Sequence, residues 1–347
     1  MNITFLIGNG FDLGLGLASD YKSFYPYFIE NANKDNIIRH EIEKAGKDNY
    51  VNWSDLESAL GRFTAKITYD NADQFVRDKV ELDELLKRYL LSQEENFVCS
   101  DQEIVKMVKK VLDHLRPGSS IEERERIQQS LNAYLDEDYF YQAISFNYTE
   151  CADKIWQYMA KKDVGHHSFR GDKHNERFDS ILHIHGTLKD NEMLLGVNDA
   201  DQVSNCELLD KEAIRWSLVK PYLNKAIGQR KIEKAQALID RSGIICLYGM
   251  SIGITDNMWW EYIGEWLKKY DTHLLIIYNH DSEYQDNHPV NRLIHMEKTK
   301  NSFLEKTKLG DNAKKNVISR IIVYDNQDIF ATVYKGNIIK NLIMDCQ

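Results

Sequence analysis

The stretch ITFLIGNGFD, residues 3–12, decides the fold predicted for this chain. Its first five residues have the β-branched and aromatic composition of a buried strand. Gly8 and Gly10 then end the strand, because two glycines separated by one residue let the backbone turn sharply and approach a ligand closely. A helical pattern resumes at about Leu13, so the stretch predicts the strand, turn and helix that open a nucleotide-binding unit, with helix amides facing a pyrophosphate. An ordinary tight turn is the alternative, since Leu13 stands where the full dinucleotide-binding fingerprint has its third glycine.

The composition is typical of a globular protein with a sizeable core. The chain has 347 residues, 43% apolar and 28% charged, enough for one large or two ordinary domains. Its net charge of −10 disfavours nucleic acid as the main partner, because phosphate binding needs a basic face. The five cysteines form no Cys-x-x-Cys pair, so they predict neither a zinc ribbon nor a disulfide framework. Scattered cysteines, no apolar run of ~18 residues and no signal-peptide pattern together predict a cytoplasmic protein without a membrane partner.

Strand and helix patterns divide the sequence into two kinds of region. Residues 20–140 have little strand character, and helical spacing recurs there, for example at Phe75, Leu82, Leu86 and Tyr89. Strand patterns separated by helical ones follow at 143–147, 181–185, 244–248, 274–278 and 317–324, with 193–197 as a shorter candidate. Polar stretches at 161–180 and 280–290 predict exposed loops.

Apolar strands that alternate with helices are typical of a parallel sheet covered on both faces. We therefore expect an α/β domain of about six strands built from residues 1–19 and 141–347, with 20–140 as an inserted helical region.

Polar residues recur where the predicted strands end. The strand ends are GNGFD at 8–12, FNYT at 146–149, HIHG at 183–186 and YGMS at 248–251, with Asp256 shortly after. Ligands bind at the carboxyl ends of parallel strands, so we expect these groups in one cleft. Taken singly, Asn147 is better explained as a turn residue. Strand alternation places His183 and His185 on one face of the strand. Taken singly, these two residues are better explained as core histidines or as a metal pair without a third ligand. Their shared position favours a binding site.

These motifs, together with WSDLE at 53–57, resemble those of the AbiH family of bacterial abortive-infection proteins. AbiH proteins are similar in turn to the sirtuin-like superfamily, which has a Rossmann-like NAD-binding sheet, an Asn-bearing strand end and a catalytic His-Gly. The resemblance implies a sirtuin-like Rossmann parallel sheet with a large helical insertion. Sirtuin deacetylases carry a zinc ribbon with two Cys-x-x-Cys pairs, which this sequence lacks. Sirtuin-like defence proteins without the ribbon typically hydrolyse NAD, so the resemblance implies an anti-phage NAD hydrolase with NAD as its substrate and no metal.

The resemblance also implies roles for individual residues. Asn147 would hold the ribose or the attacking water, and His185 would accept a proton near neutral pH. Asp55 and Glu57, two apart on a predicted helix, do not share a face. Glu57 is the better additional candidate, and an exposed acidic turn is the alternative for both. The implied NAD-binding residues are Gly8, Asn9, Gly10, Phe11, Asp12, Gly186, Gly249, Ser251 and Asp256.

Two other functions compete with NAD hydrolysis. One is a non-catalytic sensor or assembly component that binds NAD or ADP-ribose, which a test for nicotinamide release would distinguish. The other is a nuclease, which the acidic charge and the lack of a carboxylate metal cluster disfavour. A homo-oligomer is compatible with the sequence, and the phage trigger is not identified by it.

Overall fold

The computed structural model of the protein describes residues 1–46, 53–115, 121–162, 165–189, 193, 195–226, 230–279, 288–325 and 330. Seven strands form one sheet in the spatial order β3-β4-β2-β1-β5-β6-β7. Their bounds are β1 Asn2–Ile7, β2 Tyr139–Ser145, β3 Gly165–Phe169, β4 Asp172–His183, β5 Ser242–Tyr248, β6 Leu274–Asn279 and β7 Ile321–Asp325. Every neighbouring pair is parallel except β3 and β4, so the chain forms a mostly parallel α/β fold.

Helices cover the sheet and fill the segment between β1 and β2. They are α1 Gly10–Gly14, α2 Tyr21–Asn31, α3 Ile37–Ala45, α4 Trp53–Phe63, α5 Ala72–Glu95, α6 Asp101–His114, α7 Ile121–Asn132, α8 Cys151–Ala160, α9 Glu212–Leu218, α10 Lys220–Ala226, α11 Lys231–Asp240, α12 Asn257–Lys269, α13 Pro289–Lys306 and α14 Asp311–Val317. None of the helices in the described ranges is long and apolar enough to cross a membrane.

The strand order places a topological switch point beside β1. From β1 the chain moves to β2 and β4 on one side, then returns to β5 on the other side and continues to β6 and β7. Ile7, the last residue of β1, pairs with Ser145 of β2 and with Tyr248 of β5. In open α/β sheets the crevice beyond the carboxyl ends of strands at such a point is the usual ligand site.

Alternate residues of β1 build a core on each face of the sheet. Ile3, Phe5 and Ile7 pack with α6, α7 and α8, whereas Leu6 packs with α11, α12 and α13. All four side chains are at most 1% exposed. Burying a large apolar side chain stabilises the fold by roughly 1.5–3 kcal/mol. The strand β1 contributes such side chains to the cores on both faces of the sheet.

A third core lies among the helices that precede β2. Apolar residues of α2, α3, α4 and α5 pack there with residues of the 188–219 segment, including α9. Phe75, Leu82, Leu86 and Tyr89 lie on the buried face of α5, which confirms the helical spacing. Asp20 caps α2 by accepting a hydrogen bond from the Ser23 amide at 3.0 Å. This core forms one wall of the crevice described below.

Two sequence predictions about strands were wrong. The 161–180 stretch, predicted as an exposed loop, contains β3 and most of β4. These strands form an antiparallel pair at the sheet edge with many exposed side chains, so they need no apolar run.

The 193–197 candidate is reduced to an isolated bridge between Val197 and Val219. The predicted strand at 317–324 begins at Ile321, because α14 and a 3₁₀ turn occupy its first residues, and most of 280–290 lies outside the described residues.

Candidate active site

A cavity of about 350 Å³ opens at the carboxyl ends of β1, β2, β4, β5 and β6. The helical core closes its other side through Asp20, Tyr21, Glu57 and Leu90. Ten of the sequence-predicted site residues line it: Gly8, Asn9, Gly10, Asp12, Glu57, Asn147, His185, Gly249, Ser251 and Asp256. Phe11 and Gly186 are not among the lining residues, and the side chain of Asp55 lies outside the described part of the structure.

The glycines of the first loop are required by contact with a second loop. The Gly8 amide donates to the Tyr248 carbonyl at 2.9 Å, and the Gly10 amide donates to the Gly249 carbonyl at 3.0 Å. A Cβ on Gly10 would lie 2.6 Å from the Gly249 Cα, and Gly249 itself has a φ of +65°. The missing side chains therefore let the ends of β1 and β5 meet, and these two amides are already bonded within the protein. Phosphate binding at this loop stays a prediction.

Two further residues of this loop have structural roles. The side chain of Asn9 accepts a hydrogen bond from Ser19 Oγ at 2.7 Å and donates to the Ser19 carbonyl at 3.1 Å, so it fastens the segment that follows α1. Phe11 is fully buried, and its ring packs against Phe330, with the ring centroids 5.0 Å apart. The ring of Phe11 therefore belongs to the core.

Asp12 is a buried carboxyl group facing the cavity. Its Oδ2 accepts a hydrogen bond from Thr149 Oγ1 at 2.7 Å, and the Asn147 amide also interacts with the carboxyl group. Burial raises the pKa of Asp12 to about 7, partly offset by Thr149 and the nearby Asn147 amide. Asp12 can therefore exchange a proton near neutral pH.

Asn147 is fixed through its backbone, which leaves its amide group facing the cavity. Its carbonyl oxygen lies 3.0 Å from His183 Nδ1, and His183 Nε2 lies 2.8 Å from Asp153 Oδ2. Since both partners only accept hydrogen bonds, both ring nitrogens of His183 are assigned as donors. Burial lowers the pKa of His183, but Asp153, the Asn147 carbonyl and Glu150 together raise it more, so the net pKa is raised. Asn147 Nδ2 is buried, and the Asn147 amide interacts with the Asp12 carboxyl group, whose pKa it lowers.

His185 is a neutral imidazole with a nitrogen available to a ligand. Its ring packs edge-on against Phe146, with centroids 5.5 Å apart, and its Nε2 lies 3.8 Å from Asp256 Oδ1. Burial, followed by the charges of Lys220 and Lys231, lowers its pKa well below the usual value. Nδ1 is buried without a partner in the described ranges.

The two histidines do not have the relation that strand alternation predicted. The strand β4 ends at His183, so His185 lies in the turn that follows it. His183 bonds to Asp153 of α8, whereas His185 faces Phe146 and Asp256. The prediction of a shared face was wrong because the alternation does not extend past the strand end.

Sequence reasoning missed Lys220 and Asn198. Lys220 Nζ lies 2.6 Å from Glu57 Oε1, and both side chains are buried. Asn198 Nδ2 donates to Asp256 Oδ1 at 2.8 Å. The bridge between Val197 and Val219 brings these two residues to the site, and no motif in the sequence marks them.

The charges of the cavity favour a neutral or cationic ligand group. The carboxyl groups in the lining are those of Asp12, Asp20, Glu57 and Asp256, and Lys220 is the single Lys or Arg among the described lining residues. Burial raises the pKa of Glu57 and of Asp256, and Lys220 lowers both in opposition. No group of three or more His, Cys, Asp or Glu side chains in the described ranges is arranged to hold a metal ion. The arrangement is suited to hydrogen bonding and proton transfer.

The fold and the cavity define an α/β protein with a ligand site at the switch point of a mostly parallel sheet. A family model described as bacteriophage abortive infection AbiH matches residues 4–278. The match covers most of the chain, so this protein belongs to the AbiH family, as its motifs indicated. That membership implies a role in anti-phage abortive infection. A comparison with curated proteins finds no match.

Proposed function

We propose that this AbiH protein hydrolyses NAD to ADP-ribose and nicotinamide, through a sirtuin-like site in which His185 is the base and Asn147 holds the ribose or the water. One observation carries the proposal. His185 Nδ1 is a buried nitrogen without a partner among the described residues, and His185 lines one cavity with Asp12 and Asn147, whose side chains interact with each other. Buried polar groups are normally satisfied, so the unpartnered imidazole nitrogen favours a polar ligand.

The chemistry of NAD suits the charge of the cavity. The nicotinamide ring is cationic and leaves as a neutral molecule, and the ribose passes through an oxocarbenium-like state. Carboxylates fixed around the sugar stabilise that positive charge. The cavity volume of about 350 Å³ lies at the lower end of the range for ligand sites, so it suits the nicotinamide riboside half. The pyrophosphate would then lie towards the mouth, away from Asp12, Glu57 and Asp256.

The hydrolysis balances with the residues present. The oxygen of a water molecule bonds to C1′ of the ribose, and the bond from C1′ to the nicotinamide nitrogen breaks with its electron pair staying on nicotinamide. His185 Nδ1 accepts the proton that the water loses. The neutral state of His185 supports this role, because an imidazolium cannot accept a proton.

The decisive experiment measures nicotinamide release from NAD by purified protein, with and without an extract of phage-infected cells. We expect His185→Ala and Asn147→Ala to lower the rate about 10²–10⁴-fold, the usual loss for a positioned base or a positioned reactant. His166→Ala is the matched control, since His166 is exposed on β3 and does not line the cavity. Equal rates for wild type and His185→Ala would refute the mechanism.

The same measurement tests the competing function. A sensor that binds NAD or ADP-ribose without turnover would bind NAD in calorimetry and release no nicotinamide, with or without the infected-cell extract. Asn147 and His185 both line the cavity, and His185 has an unpartnered nitrogen in the described part of the chain, which favours the enzyme.

A further inference from the structure

A buried lysine lines the same cavity as His185. Lys220 is 4% exposed, and its ammonium group lies 2.6 Å from a carboxylate oxygen of Glu57. It begins α10, and its backbone amide donates to the Val197 carbonyl at 2.9 Å. Burying an ammonium group is costly unless a negative charge compensates it. Glu57 supplies such a charge, and the role of the pair in the cavity needs an explanation.

The count of charges supplies that explanation. Glu57 is a buried and Asp256 a partly buried carboxyl group, both line the cavity, and Asp256 raises the pKa of Glu57. Two neighbouring carboxylates favour a nearby positive charge, and only two groups of the described cavity lining can provide one, Lys220 and His185. If Lys220 were absent, His185 would be drawn to bind a proton, because Asp256 Oδ1 lies 3.8 Å from its Nε2.

We propose that Lys220 is a positioning residue of this site. Its ammonium group supplies the counter-charge for the Glu57 and Asp256 carboxylates, which leaves the His185 imidazole neutral and its Nδ1 free to accept a proton. Lys220 acts through its neighbours and does not itself touch the reacting atoms. The inference rests on the proposed function for its catalytic consequence, whereas its electrostatic part concerns only the resting protein.

The charged groups that act on His185 come from four different parts of the chain. Asp256 follows β5, Lys220 begins α10, Lys231 begins α11 and His183 ends β4. The two lysines and His183 disfavour the imidazolium form of His185, and Asp256 favours it. Removing Lys220 therefore leaves Asp256 opposed by Lys231 and His183, whose effects on the pKa of His185 are smaller, so this pKa should rise.

The test measures the pKa of His185 by NMR of histidine-labelled full-length protein, with its signal identified by its loss in His185→Gln. Lys220→Met should raise this pKa by about 1 unit or more, the usual effect of a close charge. Lys220→Arg retains the charge and should restore the low value. Glu57→Gln is the matched control, because it breaks the same ion pair but keeps the cation, so the pKa of His185 should stay low.

The double variant Glu57→Gln/Lys220→Met keeps the experiment informative if Lys220→Met alone fails to fold. It replaces the buried ion pair by two neutral side chains of similar volume, a change that proteins usually tolerate. The pKa of His185 should rise in the double variant, but less than in Lys220→Met, because one carboxylate is removed together with the cation and Asp256 remains. Folded Lys220 variants with an unchanged pKa of His185, or an equal rise in Glu57→Gln, would overturn the inference, because either result would mean that Lys220 merely maintains the fold.

The catalytic consequence has its own readout. In Lys220→Met the acidic limb of the kcat/KM profile for NAD should move to higher pH by the same amount as the pKa of His185, with little change above the new pKa. Absence of NAD turnover by the wild-type protein would refute the proposed function, and the NMR titration would still decide the role of Lys220.

Discussion

Asp12 offers the most direct test of the electrostatics of the cavity. Burial raises its pKa from 3.8 to about 7. The folded protein therefore holds a proton on Asp12 that the unfolded chain loses above about pH 4. Stability is fully retained below the unfolded pKa and falls as the pH rises towards the folded value. The rise of about 3 pKa units corresponds to a loss on the order of 4 kcal/mol, complete once the pH exceeds the folded pKa.

Asp12→Asn should remove this dependence. The amide cannot ionise, so the variant pays no cost for charging a buried group as the pH rises. Between about pH 5 and pH 8 wild type should lose about 3 kcal/mol of unfolding free energy from this residue, and the variant should not. The Asn amide will change the hydrogen bond with Thr149, but that effect is independent of pH. The slope of stability against pH is therefore the quantity to compare.

The assay is urea unfolding of both proteins at several pH values, followed by circular dichroism. All other titrating groups are common to the two proteins, so their contributions cancel in the difference. Divergence of the two curves above about pH 5, with Asp12→Asn relatively more stable at high pH, would agree with the buried carboxyl group described here. Parallel curves over this range would refute the reasoning, because they would mean that Asp12 is already ionised in the folded protein at low pH.

Two further variants test the supports of the site. Gly249→Ala should lower the unfolding free energy by at least about 2 kcal/mol in urea unfolding, because its φ is +65° and its Cβ would lie 2.5 Å from the Phe11 amide nitrogen. Gly16→Ala is its control, with a φ of +90° and no atom within 4 Å of the added Cβ, and an equal loss in both would contradict the argument from the loop contact. Asp153→Asn should lower the pKa of His183 in an NMR titration, since Asp153 raises it. Wild type should then lose stability as the pH rises above the ordinary histidine value through the folded pKa, and Asp153→Asn should lose less, with identical pH profiles counting against the ion pair.

The central strands of the fold were predictable because both their faces are buried. The runs at 244–248 and 274–278 are apolar throughout, and they are β5 and β6 almost to the residue. The edge strands were not predictable in the same way. Charged and polar residues dominate β3 and the first half of β4. These strands form an antiparallel pair with many side chains exposed to solvent. The conformation of these strands depends on their hydrogen-bonded partners, which cannot be inferred from the local sequence.

The residues of the site also fall into a group that could be predicted from the sequence and a group that could not. Residues that follow parallel strands were predictable, because the topology brings all such ends to one edge of the sheet. Asn147, His185 and Asp256 were found in this way. Lys220 and Asn198 reach the cavity through a tertiary bridge between Val197 and Val219, and nothing local distinguishes them from surface residues. The glycines at 8 and 10 were located correctly, but their loop contact depends on Gly249, far along the chain.

The pairing of β1 has a consequence for the order in which the protein can form. Ile7 is synthesised long before Tyr248, although the two residues are neighbours in the sheet. Such distant pairings form late, because the intervening chain must first be brought together. A ribosome-bound chain that has not yet produced β5 lacks Gly249 and Asp256, and with them one wall of the cavity. Any activity that harms the cell is therefore withheld from incomplete chains, and a nonsense mutation before β5 yields a product without the site.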